Sequence, residues 1–270
     1  MTLALHHYGP DFDLPLVLLH AFPLDSAMWD DVVALLGDLP VILVDAPGFG
    51  ASPAPAAVAE ELGRPAEPSL ETYADAVAAS LRAAGVERAV VAGLSMGGYA
   101  VLALAERHRG LLAGAGLLDT KAGPDDEAAR ENRLRVAAAA EEQGAAAVAP
   151  MLAGVLGATT QAQRPDLVER VGAALAASPG EGIAWAQRAM AARPGRLSAL
   201  EDLRVPVLVL RGVEDDLSPQ EAANQLAEVL ADVEVVVVPH AGHLSPLEQP
   251  EAVAHALRSL HERCAQGAVS

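Results

Sequence analysis

The feature that most constrains the fold of this chain is an alternation of short apolar runs with stretches of helical periodicity. A run in which apolar residues follow one another, without polar residues at alternate positions, is typical of a strand buried on both faces of a sheet. Such runs occupy residues 15–20, 41–44, 89–92, 117–118, 205–210 and 233–238. Strands that alternate with helices predict an α/β fold, with a mostly parallel central sheet and helices on both of its faces.

One long segment interrupts this alternation. From Lys121 to Gly195 the chain has no strand-like run, only Ala-rich stretches with helical spacing between glycines and prolines. An insertion of this length predicts a helical cap (lid) over the carboxyl ends of the strands, where open α/β sheets bind ligands. A helical layer with a purely structural role is the alternative. We therefore predict a core domain of residues 1–120 and 196–270 and a helical cap of residues 121–195.

The charge of the chain argues against several kinds of partner. There are 36 Asp and Glu residues against 18 Lys and Arg, which gives a net charge of -18. Such a chain repels phosphate backbones and anionic lipid head groups, so no nucleic-acid or membrane-surface partner is expected. The hydrophobic fraction of 52% suits a protein with a large core rather than a disordered one. The sequence gives no indication of the oligomeric state.

Metal sites, disulfides and export signals have no support in the sequence. Cys264 is the single cysteine, which rules out an internal disulfide and CxxC motifs. No HExxH motif or cluster of histidines and carboxylates suggests a metal, so we expect no metal and no other cofactor. The start MTLALHHYGPDF lacks the basic and long apolar regions of a signal peptide. A cytoplasmic location is the expectation.

The strongest chemical motif is Gly93-Leu94-Ser95-Met96-Gly97, a GxSxG placed between a predicted strand and a predicted helix. A sharp turn at this point requires small residues on both sides of the serine. The turn lifts Ser95 Oγ clear of the sheet, and the free N–H groups at the start of the helix, including that of Met96, can stabilise an oxyanion. The GxSxG pattern also fits a turn whose small residues serve packing alone. The interpretation as a nucleophile turn therefore depends on the position of the motif between a strand and a helix.

A serine nucleophile requires a base, and the base requires an acid that orients it. His240 and His243 lie on the loop after the last predicted strand, and Asp215 and Asp216 follow the strand before it. Both loops leave the same edge of the sheet as Ser95, because parallel strands joined by crossover helices all point the same way. The spacing alone leaves either histidine and either aspartate open.

In several motifs the chain resembles the α/β-hydrolase family, and the resemblance covers nearly its whole length. The motifs, in order, are His20-Ala-Phe-Pro, Asp45-Ala-Pro-Gly-Phe-Gly-Ala-Ser52, the turn at Ser95, Gly212 to Pro219, and Ala241-Gly-His-Leu-Ser-Pro-Leu-Glu-Gln-Pro250. The resemblance implies an α/β-hydrolase fold, in which the order Ser, Asp, His is that of the family's triad.

The resemblance also implies roles for individual residues. Ser95 would be the nucleophile, Asp215 the acid, because the family's G-x-x-D-x-x-x-P pattern falls there, and His243 the base, because it stands in the A-G-H pattern. Asp119 is an alternative acid, since some relatives have the acid at the end of that earlier strand. His240 is the alternative base.

The oxyanion hole implied by the resemblance uses the backbone N–H groups of Phe22 and Met96. The chain has Ala21 where most relatives have glycine, and alanine has less backbone freedom. A second departure is that about nineteen residues precede His20, which leaves little room for the usual opening hairpin and predicts short first edge strands.

Two tryptophans are candidates for the substrate pocket, although most tryptophans of this kind are core residues. Trp29 follows the predicted oxyanion loop closely, and Trp185 is the only aromatic residue of the predicted cap. A place in the core is one expectation for both, and a place at the substrate is the alternative.

The resemblance implies a serine hydrolase that cleaves small, largely apolar carboxylic esters or lactones through an acyl-enzyme. The most similar members are bacterial carboxylesterases and 3-oxoadipate enol-lactonase-like enzymes. Haloalkane dehalogenases and epoxide hydrolases are disfavoured, because those relatives have aspartate where this chain has Ser95. The alternatives are a carbon–carbon bond hydrolase, a cofactor-free perhydrolase, a carrier-protein thioesterase and a ligand receptor without turnover.

Overall fold

A seven-stranded sheet is at the centre of the computed structural model, which describes residues 3–10 and 14–267. Its strands are β1 (Leu5–Tyr8), β2 (Leu16–Leu19), β3 (Val41–Val44), β4 (Ala89–Leu94), β5 (Leu112–Leu118), β6 (Val207–Gly212) and β7 (Val233–Val238). They lie in the order β1-β3-β2-β4-β5-β6-β7; β1 is antiparallel to β3, and all other neighbouring pairs are parallel. The predicted α/β fold with a mostly parallel sheet is confirmed.

Helices cover both faces of this sheet. They are α1 (Asp30–Leu36), α2 (Pro55–Glu61), α3 (Leu70–Ala83), α4 (Met96–Arg107), α5 (Glu127–Gln143), α6 (Leu152–Val155), α7 (Ala158–Gln163), α8 (Pro165–Ala177), α9 (Gly180–Ala192), α10 (Leu197–Glu201), α11 (Gln220–Val229), α12 (Ser245–Glu248) and α13 (Pro250–Gly267). Short 3₁₀ helices span Ser26–Trp29, Arg109–Leu111 and Gly144–Met151. Of the helices in the described ranges, none combines the length and the apolar character needed to cross a membrane.

The central strands explain why the sequence shows continuous apolar runs. Every residue of β2 is buried, and its side chains alternate between two hydrophobic clusters. Val17 and Leu19 belong to the cluster that contains α3 and α4, whereas Leu16 and Leu18 belong to the cluster that contains α1 and α13. Because both faces of the strand are covered, no position is left for a polar side chain.

The amino-terminal edge of the sheet is short, as the sequence predicts. The strand β1 has four residues and pairs with β3 from Leu5 opposite Val44 to Tyr8 opposite Val41. Within the described residues it is the one strand that precedes β2, so a full opening hairpin is not formed there. The edge that results is antiparallel, whereas the candidate residues Ser95, Asp215 and His243 follow parallel strands.

Helices alone fill the segment between β5 and β6. Residues 119–206 contain α5 to α10 and no strand. The helix α5 packs along α9, and the 3₁₀ helix Gly144–Met151 packs on α5 and α8. The exact limits of the predicted core (residues 1–120 and 196–270) and cap (residues 121–195) stay a prediction.

Candidate active site

Ser95 lies on a strained turn between β4 and α4. Its backbone has φ 52° and ψ -109°, in a region that side chains other than glycine rarely adopt. The Ser95 N–H donates to the Leu118 carbonyl at 2.9 Å, and Thr120 Oγ1 donates to the Ser95 carbonyl at 2.9 Å. Both bonds come from the end of β5, so the neighbouring strand holds the turn in place.

The two glycines of the motif are required by close approach of the backbone. A Cβ added at Gly93 would lie 2.7 Å from the Gly98 nitrogen, and one added at Gly97 would lie 2.8 Å from the Leu19 carbonyl carbon. Real Cβ atoms are not found at such distances from backbone. The sharp turn inferred from the sequence therefore exists because α4 passes directly over the ends of β4 and β2.

Ser95, His243 and Asp215 form a continuous hydrogen-bonded chain. His243 Nε2 is 2.8 Å from Ser95 Oγ, and His243 Nδ1 is 3.0 Å from Asp215 Oδ2 and 3.1 Å from Oδ1. Because a carboxylate only accepts hydrogen bonds, Nδ1 carries the proton and Nε2 is the acceptor for the serine hydroxyl. Asp215 is held by the N–H groups of Leu217 (2.8 Å) and Ser218 (3.1 Å).

The alternative candidates Asp216 and His240 do not line the cavity at Ser95. Asp216 and His240 are exposed, and the structure does not place either of them at the cavity that contains Ser95. His240 has φ 58° on the turn before His243. Of the four residues that the spacing left open, Asp215 and His243 are the pair that lies together beside Ser95.

Asp119, the alternative acid, is next to this chain but is not hydrogen-bonded to His243. Its Oδ1 accepts from the Gly212 N–H at 2.7 Å, and its Oδ2 accepts from Ser245 Oγ at 2.5 Å. Burial, together with the nearby Asp215 carboxylate, raises the pKa of Asp119 well above its usual value. Through these two bonds Asp119 connects the end of β5 to the end of β6 and to α12. These contacts are structural.

The loop after β2 lies beside the turn at Ser95. The strands β2 and β4 are neighbours, with Leu19 paired to Gly93, so the residues that follow each of them lie side by side. Phe22 lines the cavity, and among the described residues its N–H has no hydrogen-bond partner. Met96 is the first residue of α4, so its N–H has no acceptor within the helix.

His20 fixes the position of this loop. Its Nε2 accepts from the Ala46 N–H at 2.9 Å, so Nδ1 carries the proton and donates to the Ala21 carbonyl at 2.9 Å. Burial lowers the pKa of His20, which favours the neutral ring that these two bonds need. Ala21 does not have a positive φ, so the loop forms without the glycine that most relatives have there.

Glu248 anchors the loop of His243, and sequence reasoning did not single it out. Its Oε1 accepts from the Gly242 N–H at 2.9 Å, and its Oε2 accepts from the Gly157 N–H, in the segment between β5 and β6, at 2.8 Å. Burial raises the pKa of Glu248, while these hydrogen bonds oppose the rise. A buried carboxylate between two backbone N–H groups ties the loop of His243 to the helical segment.

A cavity of about 380 Å³ opens onto Ser95 and His243. Helices between β5 and β6 form its roof. Its apolar lining includes Phe22, Val136, Met151, Val155, Met190 and Leu217. Its polar lining includes Tyr99, Lys121, Asp125, Asn132, Arg133 and Gln187. Part of the cavity wall is therefore apolar and part is charged. The sequence predicted a largely apolar substrate and gave no indication of the charged part.

The two tryptophans do not reach this cavity, which corrects their prediction as substrate contacts. Trp29 is fully buried and packs in the cluster that contains α1 and α13. Trp185 is buried on α9 and lies beside a different groove, with Gly144 and Arg188. In both cases the large ring is used to fill space between helices.

Comparisons with known proteins address the family of the chain. Residues 16–256 match the model of the Alpha/beta hydrolase family. The chain belongs to this family. The α/β-hydrolase superposes on a thermophilic esterase from Thermogutta terrifontis, solved with malate bound, with a TM-score of 0.89, 37% identity and coverage of 97% of this chain and 93% of that one. It superposes on the enol-lactonase from Burkholderia xenovorans LB400 with a TM-score of 0.84, 25% identity and coverage of 96% and 95%.

Relatives found by sequence point in the same direction. The α/β-hydrolase is 30% identical over 255 residues to a pimeloyl-[acyl-carrier protein] methyl ester esterase of Aromatoleum aromaticum, covering 87% of this chain and 93% of that protein. It is 29% identical over 259 residues to the biotin biosynthesis bifunctional protein BioHC of Cellvibrio japonicus; this match covers 93% of the chain but about half, 48%, of that protein. Esterase and lactonase relatives support hydrolysis of ester bonds as the general chemistry of this α/β-hydrolase.

Proposed function

We propose that this α/β-hydrolase is a serine hydrolase that cleaves carboxylic esters or lactones of small molecules through an acyl-enzyme. The observation that carries the proposal is the hydrogen-bonded chain from Ser95 Oγ through His243 to Asp215, with distances of 2.8 Å and 3.0 Å, at the wall of a cavity. The esterase and lactonase relatives support the same chemistry. Residues 121–195 act in this proposal as the lid that shapes the substrate cavity.

The reaction has two halves. Ser95 Oγ attacks the carbonyl carbon of the ester while His243 Nε2 takes the hydroxyl proton. The negative charge that develops on the carbonyl oxygen is stabilised by the N–H groups of Phe22 and Met96. The intermediate collapses, and the alcohol leaves with the proton from His243. Water then attacks the acyl carbon, gives its proton to His243, and Ser95 leaves with that proton as the acid is released.

The acid of the triad can be tested with two isosteric variants. In this proposal Asp215→Asn lowers kcat by about 10⁴, because the amide no longer holds His243 in the tautomer and orientation that the reaction needs. Asp119→Asn changes kcat by less than about tenfold. The Asp119 carboxylate is bonded to the Gly212 N–H and to Ser245 Oγ and not to His243, so the amide leaves the tautomer of His243 unchanged.

Steady-state kinetics of the two variants, with melting temperatures measured alongside, decide between the aspartates. Equal losses of kcat in both variants, with unchanged melting temperatures, would contradict the assignment of Asp215. A larger loss in Asp119→Asn would make Asp119 the acid instead.

Two measurements test the proposed function itself. We expect hydrolysis of p-nitrophenyl esters from acetate to decanoate to show an optimum at short to medium acyl chains, because the cavity is about 380 Å³. A fluorophosphonate should form an Oγ–P bond at Ser95 with loss of fluoride, so the peptide that contains Ser95 should gain the mass of the reagent less that of HF. A folded protein that hydrolyses no ester and takes no label would contradict the proposal and favour a carbon–carbon bond hydrolase or perhydrolase.

A carrier-bound ester is the second candidate, because one relative is described as an esterase for a methyl ester on an acyl-carrier protein. The net charge of -18 opposes the approach of an acidic carrier protein. Comparing kcat/KM for one methyl ester, free and attached to a carrier, separates the two: a large preference for the attached form would favour the carrier-bound substrate.

A further inference from the structure

We propose that the substrate carries a carboxylate a few bonds from the ester, and that Lys121 and Arg133 bind this carboxylate at the cap side of the cavity. The inference rests on the proposed function, because it names the substrate class of the same site. It replaces the largely apolar substrate that the sequence suggested.

The charges around the cavity are the first support. Lys121, Asp125 and Arg133 line it, and Arg193 lies directly behind Asp125. Lys121 Nζ is 3.4 Å from Asp125 Oδ1, Arg133 Nε is 2.5 Å from Oδ2, and Arg193 Nη2 is 2.7 Å from Oδ1. Three cations around one carboxylate leave two positive charges. This local excess of positive charge lies at the cavity wall, although the chain as a whole has a net charge of -18.

The hydrogen bonds show which of these cations are available. Arg193 is buried, and both of its terminal nitrogens are used: each donates to Asp125 at 2.7 Å, and the guanidinium lies 4.1 Å from the centre of the Tyr99 ring. In the described part of the chain, Arg133 uses Nε and Nη1 but has no partner for Nη2, and Lys121 Nζ has Asp125 alone. Their side chains are 20% and 30% exposed.

Asp125 does not neutralise the positive charges of both Lys121 and Arg133. Burial raises the pKa of Asp125, but the hydrogen bonds and charges of Arg193 and Arg133 outweigh burial and hold that pKa well below its usual range. Asp125 therefore remains a fixed anion whose charge is already matched by Arg193. Arg133 and Lys121 are left with unshared donors that face the cavity, which is the arrangement that binds a carboxylate.

The other residues of the cavity indicate the kind of molecule. Ser95 lines the same cavity as these two cations, so one bound molecule can contact both. The apolar residues Val136, Met151 and Leu217 line the same cavity and suit a short methylene chain. A half-ester of a short dicarboxylic acid has this distribution of charge.

The kinetic test compares a charged and a neutral form of one substrate. For the wild type we expect kcat/KM for monomethyl adipate to exceed that for dimethyl adipate. Lys121→Met and Arg133→Met should each lower this ratio by about ten- to hundred-fold, mainly through KM for the charged ester. Arg188→Met is the matched control, because Arg188 pairs with Glu141 at 2.8 Å outside this cavity. It should keep the wild-type ratio.

A binding measurement separates this inference from the proposed function. Calorimetry on Ser95→Ala should show adipate binding more tightly than hexanoate, and adding Lys121→Met should remove the difference. If adipate binds in this way but no ester is hydrolysed, the proposed function fails and the carboxylate site stands. If esters are hydrolysed and the charged-to-neutral ratio is the same in wild type, Lys121→Met and Arg133→Met, the carboxylate site is overturned and the proposed function stands.

Discussion

Ser95→Ala is expected to lower kcat by about 10⁶ on any ester that the wild type hydrolyses. In the proposed reaction the substitution removes the oxygen that attacks the carbonyl. Among the described residues, Ser95 Oγ is the one hydroxyl hydrogen-bonded to His243 Nε2, at 2.8 Å. The remaining rate should stay above that in water, because the N–H groups of Phe22 and Met96 would still face the carbonyl oxygen.

The control for this loss is a second serine at the same cavity. Ser218 also lines it, and its hydroxyl donates to the Asp119 carbonyl at 2.9 Å. Ser218→Ala should keep kcat within about tenfold of the wild type, since it removes one hydrogen bond and no reacting atom. Burst kinetics with a p-nitrophenyl ester should show an acyl-enzyme in the wild type and none in Ser95→Ala. A Ser95→Ala protein that retained most of its activity would contradict the serine mechanism.

The central strands and the turn at Ser95 were readable from the sequence because each depends on local pattern. The strand β3 occupies residues 41–44, as its apolar run predicts. The strand β7 also has the predicted bounds, 233–238, but it lies at the edge of the sheet with Val235 and Val237 exposed, so its apolar run did not mean burial on both faces. The turn could be inferred because Gly93 and Gly97 are the residues that let α4 pass close to the strands. The triad residues could be proposed because topology brings the ends of parallel strands to one edge.

The cavity lining could not be read in the same way. Which side of a helix faces a cavity depends on how that helix packs, and the helices between β5 and β6 are rich in small alanines that leave their faces poorly distinguished. Trp185 was the prominent side chain in the sequence, yet it fills space between helices. Lys121 is the only lysine of the chain, and it comes shortly after β5. Its position was the sequence signal that could have indicated a charged side of the cavity.

His243→Ala is expected to lower kcat by about as much as Ser95→Ala, roughly 10⁶. In the proposed reaction His243 Nε2 takes the serine proton and returns it to the leaving alcohol, and Asp215 cannot replace it because the imidazole lies between the carboxylate and Ser95. The double variant with Ser95→Ala should lose no more than either single variant, because the two residues act as one unit.

The decisive control is the histidine three residues earlier. His240 is exposed and has φ 58°, so the suitable substitution is asparagine, which tolerates this backbone conformation better than alanine does. His240→Asn should keep kcat and KM within a few-fold of the wild type, because nothing in the proposed reaction requires a group at that position. If His240→Asn lost as much activity as His243→Ala, with both proteins folded by circular dichroism, the assignment of the base would be wrong. Equal activity of His243→Ala and the wild type would remove the histidine from the mechanism altogether.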